Sequence, residues 1–327
     1  MREPRFLQLH DLAAAPLAAE AVAGLGAAGA QVSPKFFYDA LGSRLFDAIT
    51  ELDEYYPTRT EASILATHAA DIAAAAVAAT GRHATLVDLG AGNCVKAARL
   101  FATLAPARYV AVDISVDFLR QALTALQGQH EAIDMVGVGL DFSTRLALPA
   151  GVLDGPALVF YPGSSIGNFN PEAALRLLRE CHALANGGAG GGAGGGGLLI
   201  GVDRVKADAL LNAAYDDPLG VTAAFNLNLL RHLNRLIGSD FDPRQWRHIG
   251  HFNRAASRVE MHLEARSPLL VCWPGGERRF SAGERIHTEN SYKWEPADFE
   301  ALLRAAGFAQ VQGWTDAQGW FSVMLAR

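Results

Sequence analysis

The chain has 327 residues, a formal net charge of −6, half of its residues apolar and 19% charged. That length holds one large or two modest domains with a real core, and the scattered Lys and Arg argue against an electrostatic nucleic-acid footprint. Cys94, Cys181 and Cys272 lie far apart with no C-x-x-C pair, which argues against a disulfide framework or a zinc ribbon.

In chain order, residues 1 to 32 read as an irregular or weakly helical lead-in. Their Ala-rich part is broken by Asp11, Pro16 and Glu20, so it reads as neither a secretory signal nor a membrane span, and a cytoplasmic protein is expected. "SPKFFYDALGSRLFDAIT" reads as a helical stretch entered at Ser33-Pro34. "TRTEASILATHAADIAAAAVAAT" reads as one long amphipathic helix, capped by Thr58 or Thr60 and ended by Gly81.

The pattern then changes. "TLVDLGAG", "RYVAVDIS", "IDMVGVGLDF", "ALVFYPGSSIGNF" and "GLLIGVD" are short apolar runs that end in Asp, Gly or Asn, and helical segments at 93–104, 115–127 and 171–185 separate them. Such alternation predicts an α/β fold with a parallel sheet covered on both faces, and its ligands belong at the carboxyl ends of the strands. "GGAGGGAGGGG", 187–197, reads as a tolerated surface insertion; a phosphate loop would want the Lys-Ser/Thr that is absent here. From 204 to 291 the alternation stops: a helical run is followed by "FNRAASRVEMHLEARSP" and "ERIHTENSYKW", which read as strands of an inserted α+β unit. "EPADFEALLRAAGF" returns to helix, and "AQVQGWTD" and "GWFSVMLAR" read as two strands that close the sheet. The expected divisions are 1–60, an N-terminal helical segment contributing to the substrate site; 61–203, a Rossmann-like core; 204–291, a substrate-binding insertion; and 292–327, a closing helix and strands.

Within the core, "VDLGAGN" is a strand, an acid and a Gly-x-Gly turn; Gly90 and Gly92 let the backbone approach a ligand. Asp113 ends the next strand, where it can accept hydrogen bonds from two ribose hydroxyls. Asp141-Phe142 follows the third, where a carboxylate could take an adenine amino group and a ring could pack on the base. Three such acids in order are the arrangement expected for S-adenosylmethionine, favoured over a nicotinamide cofactor. Lys96 either pairs the methionine carboxylate or is a solvated helix residue.

"KFFYDALGSRLFDAITELDEYYPTRTEASIL", "GSSIGNF", "AYDDPLGVTAAFNLNLL", "RVEMHLEA" and "ENSYKW" together resemble the histidine-specific methyltransferases, over nearly the whole chain from about residue 33. The resemblance implies a Rossmann-like S-adenosylmethionine-dependent methyltransferase with an added substrate-binding domain. It would trimethylate the α-amine of L-histidine, through mono- and dimethyl forms, to hercynine, the first step of ergothioneine biosynthesis, and release S-adenosylhomocysteine. It further implies that Asn168 and Tyr215 hold the amine and act in catalysis, and that Tyr38 meets the substrate carboxylate. Tyr55 lies in a lid-like part, Thr222 and Phe225 line the pocket, Glu289 and Ser291 receive the imidazole, and Met261 packs beside it. Glu289 and Ser291 alternate in a strand-like run, so both side chains point the same way, and the pair suits a ring with two nitrogens. The family's cofactor loop often reads G-S-G-T-x-x-K where this chain has G-A-G-N-C-V-K, with Lys96 in place.

His248 and His251 lie close in sequence but lack a third ligand at site spacing, so they read as solvated surface and no metal is expected. A monomer without nucleic-acid or membrane partners is expected. Two rivals stay open: N-methylation of another aromatic amino acid such as tryptophan, and a non-catalytic cofactor-binding partner protein.

Overall fold

In the computed structural model, which describes residues 2–9, 14–187 and 195–327, the strands in chain order are β1 (Arg5–Gln8), β2 (Thr85–Leu89), β3 (Arg108–Asp113), β4 (Asp134–Gly139), β5 (Ala157–Tyr161), β6 (Gly197–Asp203), β7 (Trp246–Asn253), β8 (Arg258–Ala265), β9 (Leu269–Trp273), β10 (Gly276–Phe280), β11 (Arg285–Tyr292), β12 (Val311–Thr315) and β13 (Phe321–Ala326). The helices are α1 (Ala14–Gly26), α2 (Ala40–Thr50), α3 (Tyr56–Thr67), α4 (Ala69–Thr80), α5 (Val95–Ala98), α6 (Phe101–Leu104), α7 (Val116–Gln129), α8 (Pro171–Ala185), α9 (Asp208–Tyr215), α10 (Val221–Ile237) and α11 (Pro296–Ala305). The chain forms two compact units: Met1–His10 with Pro57–Val205 and Lys293–Arg327, and Asp11–Tyr56 with Lys206–Tyr292.

The first unit is built on an eight-stranded sheet of order β1-β4-β3-β2-β5-β6-β13-β12. It is parallel through β6, and β13 runs antiparallel to both of its neighbours. The central strands are apolar on both sides because both faces are covered. Alternate residues feed two core layers: Val87, Val110, Val136 and Val159 pack with Leu177, Leu178 and Phe299, whereas Leu86, Tyr109, Met135 and Leu158 pack with Ile72, Leu119 and Leu123. The sheet reverses strand order between β2 and β5, which opens a crevice at their carboxyl ends.

The second unit holds the three-stranded antiparallel sheet β11-β8-β7, the hairpin β9–β10 and helices α1, α2, α9 and α10. The α10 helix buries Phe225, Leu229, Leu230 and Leu233. Asp39 caps α2 by accepting from the Gly42 amide at 2.7 Å, and it also takes Asn228 of α10 at 2.8 Å and pairs with Arg235.

Several local expectations change. The lead-in contains an edge strand: β1 pairs in parallel with β4, a long-range contact that four residues cannot announce. The single helix read over 58–80 is two, α3 and α4, bent by 77° at His68. No Gly or Pro marks that break, and the chain around it is uniformly helix-forming. The α3 helix begins at Tyr56, where Pro57 in its first turn is the entry signal, so Thr58 and Thr60 are interior and not caps. The segment 93–104 is two single turns, α5 and α6. The third apolar run stops at Gly139, so Asp141 lies two residues beyond its strand. Most of the Gly-rich stretch, 188–194, lies outside the described residues.

Among the described residues no single helix is long and apolar enough to cross a membrane. The bent pair α3 and α4 has the length and composition together, and its Ile64, Leu65, Ile72 and Ala76 are buried in the core.

Candidate active site

In the first unit, β2 ends in a turn whose Gly90 and Ala91 amides both donate to the Val112 carbonyl of β3, at 2.9 and 3.1 Å. Gly90 and Gly92 have φ of +69° and +51°, a region costly for residues with a Cβ. Asp113 fastens the turn: its Oδ2 accepts from the Gly92 amide at 2.9 Å and its Oδ1 from the Ser115 amide at 2.8 Å. Burial raises the Asp113 pKa, while these amides oppose the rise. Asn93 accepts from the Val95 amide at 3.2 Å and so closes the first turn of α5.

Beneath the turn, Asp88 accepts from the Tyr109 hydroxyl at 2.7 Å, and its other oxygen is buried with no hydrogen-bond partner among the described residues. Burial pushes its carboxyl up to about 7, against the pull of the Tyr109 bond. Burial likewise pushes the Cys94 thiol up to about 12, so it is not a poised nucleophile. Phe142 packs edge-on to Tyr161 with centroids 5.8 Å apart, and Asp141 turns onto the amide of Ser143 at 3.1 Å and onto its hydroxyl.

Lys96 has a definite partner: its Nζ lies 2.9 Å from Oε2 of Glu61, a buried residue of α3 that the sequence reading did not single out. The other oxygen, Oε1, accepts from the Gly163 amide at 2.7 Å. This fixes one end of the loop after β5. The next residue, Ser164, sits in the left-handed region at φ 57°, and its Oγ accepts from the Asp203 amide of β6 at 2.9 Å. The loop ends in a 3-10 turn, Ser165–Asn168, and the half-buried Asn168 amide makes no hydrogen bond among the described residues. Its donors and acceptor are therefore available to a ligand.

In the second unit, four of the expected residues come together in one aromatic cluster. Tyr38 meets Phe225 edge-on at 5.9 Å and Phe46 at 5.8 Å; Phe46 meets Tyr55 at 6.2 Å; and Tyr55 meets Tyr215 at 6.2 Å. The Tyr215 hydroxyl donates to Ser291 Oγ at 2.7 Å, in a buried bond. Glu289 and Ser291 lie in β11 beyond an irregularity at His287–Glu289, opposite Met261 and Val259 of β8. Their spacing keeps both side chains on one face. Thr222 opens α10, and its amide and that of Val221 are held by Asp217 at 2.8 and 3.0 Å. Burial works against it, but these bonds hold the Asp217 carboxyl below the usual range.

Sequence reasoning missed Phe46 and also His248 and Asn226. His248 was expected on the surface; its side chain is only 2% exposed, with one ring nitrogen 2.7 Å from the Tyr215 carbonyl and the other 2.8 Å from the Asn226 amide. The residue that anchors the backbone of Tyr215 is therefore a histidine read as solvated. His251 also has neighbours that spacing did not show: His251, Glu260 and His262 offer ligand atoms within 4.8 Å of one another. Glu260 is already engaged, however, by Arg258 at 2.8 Å, Asn253 at 3.0 Å and His262 at 3.2 Å. These bonds outweigh burial and hold the Glu260 carboxyl down to about 2, whereas Nδ1 of His251 and Nδ1 of His262 are buried with no hydrogen-bond partner among the described residues.

The first unit also passes a test of fit for an adenosyl cofactor. Among the described residues nothing stands within 4 Å of where a Cβ would be on Gly92, so the turn is open there, and the nearest atom to one on Gly90 is Phe142 at 3.9 Å. Backbone amides that donate, a carboxylate at the end of β3 that accepts and an aromatic ring that packs are groups suited to a nucleoside with hydroxyls and a base.

This sheet order, with its antiparallel last pair and its acid–glycine turn, is that of an S-adenosylmethionine-dependent methyltransferase. A family profile described as "Histidine-specific methyltransferase, SAM-dependent" matches residues 17–327, and the chain belongs to that family. It is 40% identical to a histidine N-alpha-methyltransferase of Mycolicibacterium smegmatis over 98% of this chain and 99% of that one. A protein of the same name from Mycobacterium tuberculosis is 38% identical over 93% and 92%. The "Ergothioneine biosynthesis protein 1" of Neurospora crassa is 30% identical over 91% of this chain and 33% of its own length.

Proposed function

We propose that the chain methylates the α-amine of L-histidine three times, releasing hercynine and S-adenosylhomocysteine, and so opens ergothioneine biosynthesis. S-adenosylmethionine supplies the methyl group from its sulfonium. The observation that carries the reading to histidine is the buried Tyr215–Ser291 bond on the strand that also bears Glu289, backed by the two mycobacterial relatives. Glu289 would accept a ring N–H and Ser291 would serve the other ring nitrogen. A phenyl ring offers neither group a hydrogen bond, and an indole, with its single N–H and no ring acceptor, can serve only one of them, which is how such a site selects.

Asn168 is assigned to the amine: its side-chain oxygen accepts an amine hydrogen and orients the lone pair without competing as a nucleophile. Tyr215 is assigned to the same amine through its hydroxyl, and Tyr38 to the α-carboxylate. Tyr55, Thr222, Phe225 and Met261 shape the surroundings. In the donor pocket, Gly90, Gly92, Lys96, Asp113, Asp141 and Phe142 are assigned to the cofactor. Before each transfer the substrate ammonium must give up one proton to leave a neutral amine, with water excluded; the transfer then forms one C–N bond and breaks one S–C bond, and the positive charge passes from sulfur to nitrogen. The reading also makes the enzyme a cytoplasmic monomer.

Mass spectrometry of the protein with histidine and S-adenosylmethionine tests this. Successive gains of one, two and three methyl groups are expected. Methylation of tryptophan but not histidine would replace the reading with its aromatic rival, and no methylation of either, with cofactor bound, would favour a non-catalytic partner.

A further inference from the structure

Lys96 raises a difficulty: a lysine ammonium is a poor neighbour for a ligand that carries a sulfonium. The structure surrounds it with an answer. Its Nζ lies 2.9 Å from Oε2 of Glu61, which is 1% exposed. The Glu61 Oε1 accepts from Gly163 at 2.7 Å, so both oxygens of the carboxylate are engaged. Two glycines make room for the pair. A Cβ on Gly201 of β6 would lie 2.0 Å from Glu61 Oε1, and one on Gly163, at φ +77°, would lie 3.0 Å from Lys96 Nζ. The arrangement draws together α3, α5, the loop after β5 and β6 around one buried charge.

We propose that Glu61 is a positioning and charge-balancing residue of the donor pocket, which holds Lys96 in place and cancels its charge so that the pocket accepts a cationic donor as readily as its neutral product. The inference rests on the assignment of Lys96 and the glycine turn to the cofactor. Opposite charges this close, one of them buried, are weakly screened, so loss of one partner leaves a field that a cationic ligand feels and a neutral one does not. Lys96 and Glu61 also act on the buried Asp88 beneath the turn, with opposite signs, so the field of the pair extends there.

The test uses the full chain without histidine and compares dissociation constants for S-adenosylmethionine and S-adenosylhomocysteine by calorimetry. In Glu61→Gln the lysine charge is left uncompensated, and the ratio of the two constants should move about tenfold against the cationic donor. In Lys96→Met the ratio should move the other way, and in the double variant it should return towards the parent value. A purely structural role for Glu61 would weaken both ligands equally and leave the ratio unmoved, and that result would overturn the proposal. If Glu61→Gln does not fold, Lys96→Met decides alone, since its side chain is about a third exposed; an unmoved ratio there overturns the proposal as well. Neither ligand requires histidine, so failure here leaves the substrate assignment standing, and failure to methylate histidine leaves this ratio measurable.

Discussion

The two sheets place their chemistry in opposite ways. In the parallel sheet of the first unit the strands are packing on both faces, and the candidate ligand groups Gly90, Gly92, Asp113, Asp141 and Asn168 sit at or beyond the carboxyl ends of strands, with Lys96 in the short helix that follows β2. In the antiparallel sheet of the second unit the strands themselves carry the candidate groups: Glu289 and Ser291 of β11 stand opposite Met261 and Val259 of β8, on the face away from Glu260, His262 and Glu264. A parallel sheet offers a ligand its backbone ends, whereas an antiparallel sheet with one polar face offers side chains along its length. The first arrangement is local in sequence; the second needs partners brought from α2, α9 and α10.

The contrast extends to acid. Burial raises Asp88 from 3.8 to about 7, so its contribution to stability is fully present below about pH 4 and is lost as pH rises through 7. Burial lowers His262 from 6.5 to about 4, so its contribution is present above pH 6.5 and is lost as pH falls through 4. Between pH 4 and pH 6.5 the two groups therefore push stability in opposite directions. Asp88→Asn should remove a pH-dependent difference on the order of 4 kcal/mol, from about three pKa units at about 1.4 kcal/mol each. His262→Gln should flatten the opposing slope. Melting temperatures from pH 4 to 8 for the parent and both variants check this; parallel profiles would break the comparison.

Asp113→Ala tests the strand-end chemistry directly. It deletes the acceptor for two backbone amides, each bond to a charged group being worth about 1.5–3 kcal/mol. Affinity for S-adenosylhomocysteine should fall by about a hundredfold, and unchanged affinity by calorimetry would remove Asp113 from the site. On the strand-face side, Glu289→Ala should cost histidine roughly 2–3 kcal/mol of discrimination against tryptophan. The measurement is the ratio of kcat/KM for the two amino acids, and a ratio that stays put would make Glu289 a structural residue. The smallest effect belongs to the buried hydroxyl pair. Tyr215→Phe and Ser291→Ala should each weaken histidine use by about 1 kcal/mol, and the double variant should lose less than their sum. Strict additivity would mean that the two hydroxyls act independently.

The sequence was most legible where structure is local. Apolar runs ending in Asp or Gly located the parallel strands, because a strand buried on both faces leaves a continuous apolar signature. What escaped was set by tertiary contact. Nothing near His68 announces a bend, β1 is recognisable only from its partner β4, and Glu61 looks like one more helical carboxylate until Gly163 and Lys96 are placed against it. His248 shows the same limit: an imidazole in "RHIGH" has no sign of burial until the backbone of Tyr215 comes to meet it. The resemblance carried the assignments in the second unit, where spacing alone could place only Glu289 and Ser291 on a common face.

The position of β13 has a consequence for the birth of the molecule. Its hydrogen bonds complete the edge of β6, yet residues 204–320, 117 in number, are made between the two strands. At about 5–20 residues per second, the ribosome needs roughly 6 to 23 s to cover that distance. Throughout that interval "GLLIGVD" presents an unpaired apolar edge, a template for any strand that arrives first. Slow codons after β6, or a shortage of chaperones during synthesis, should therefore reduce the yield of this protein more than its finished stability would suggest.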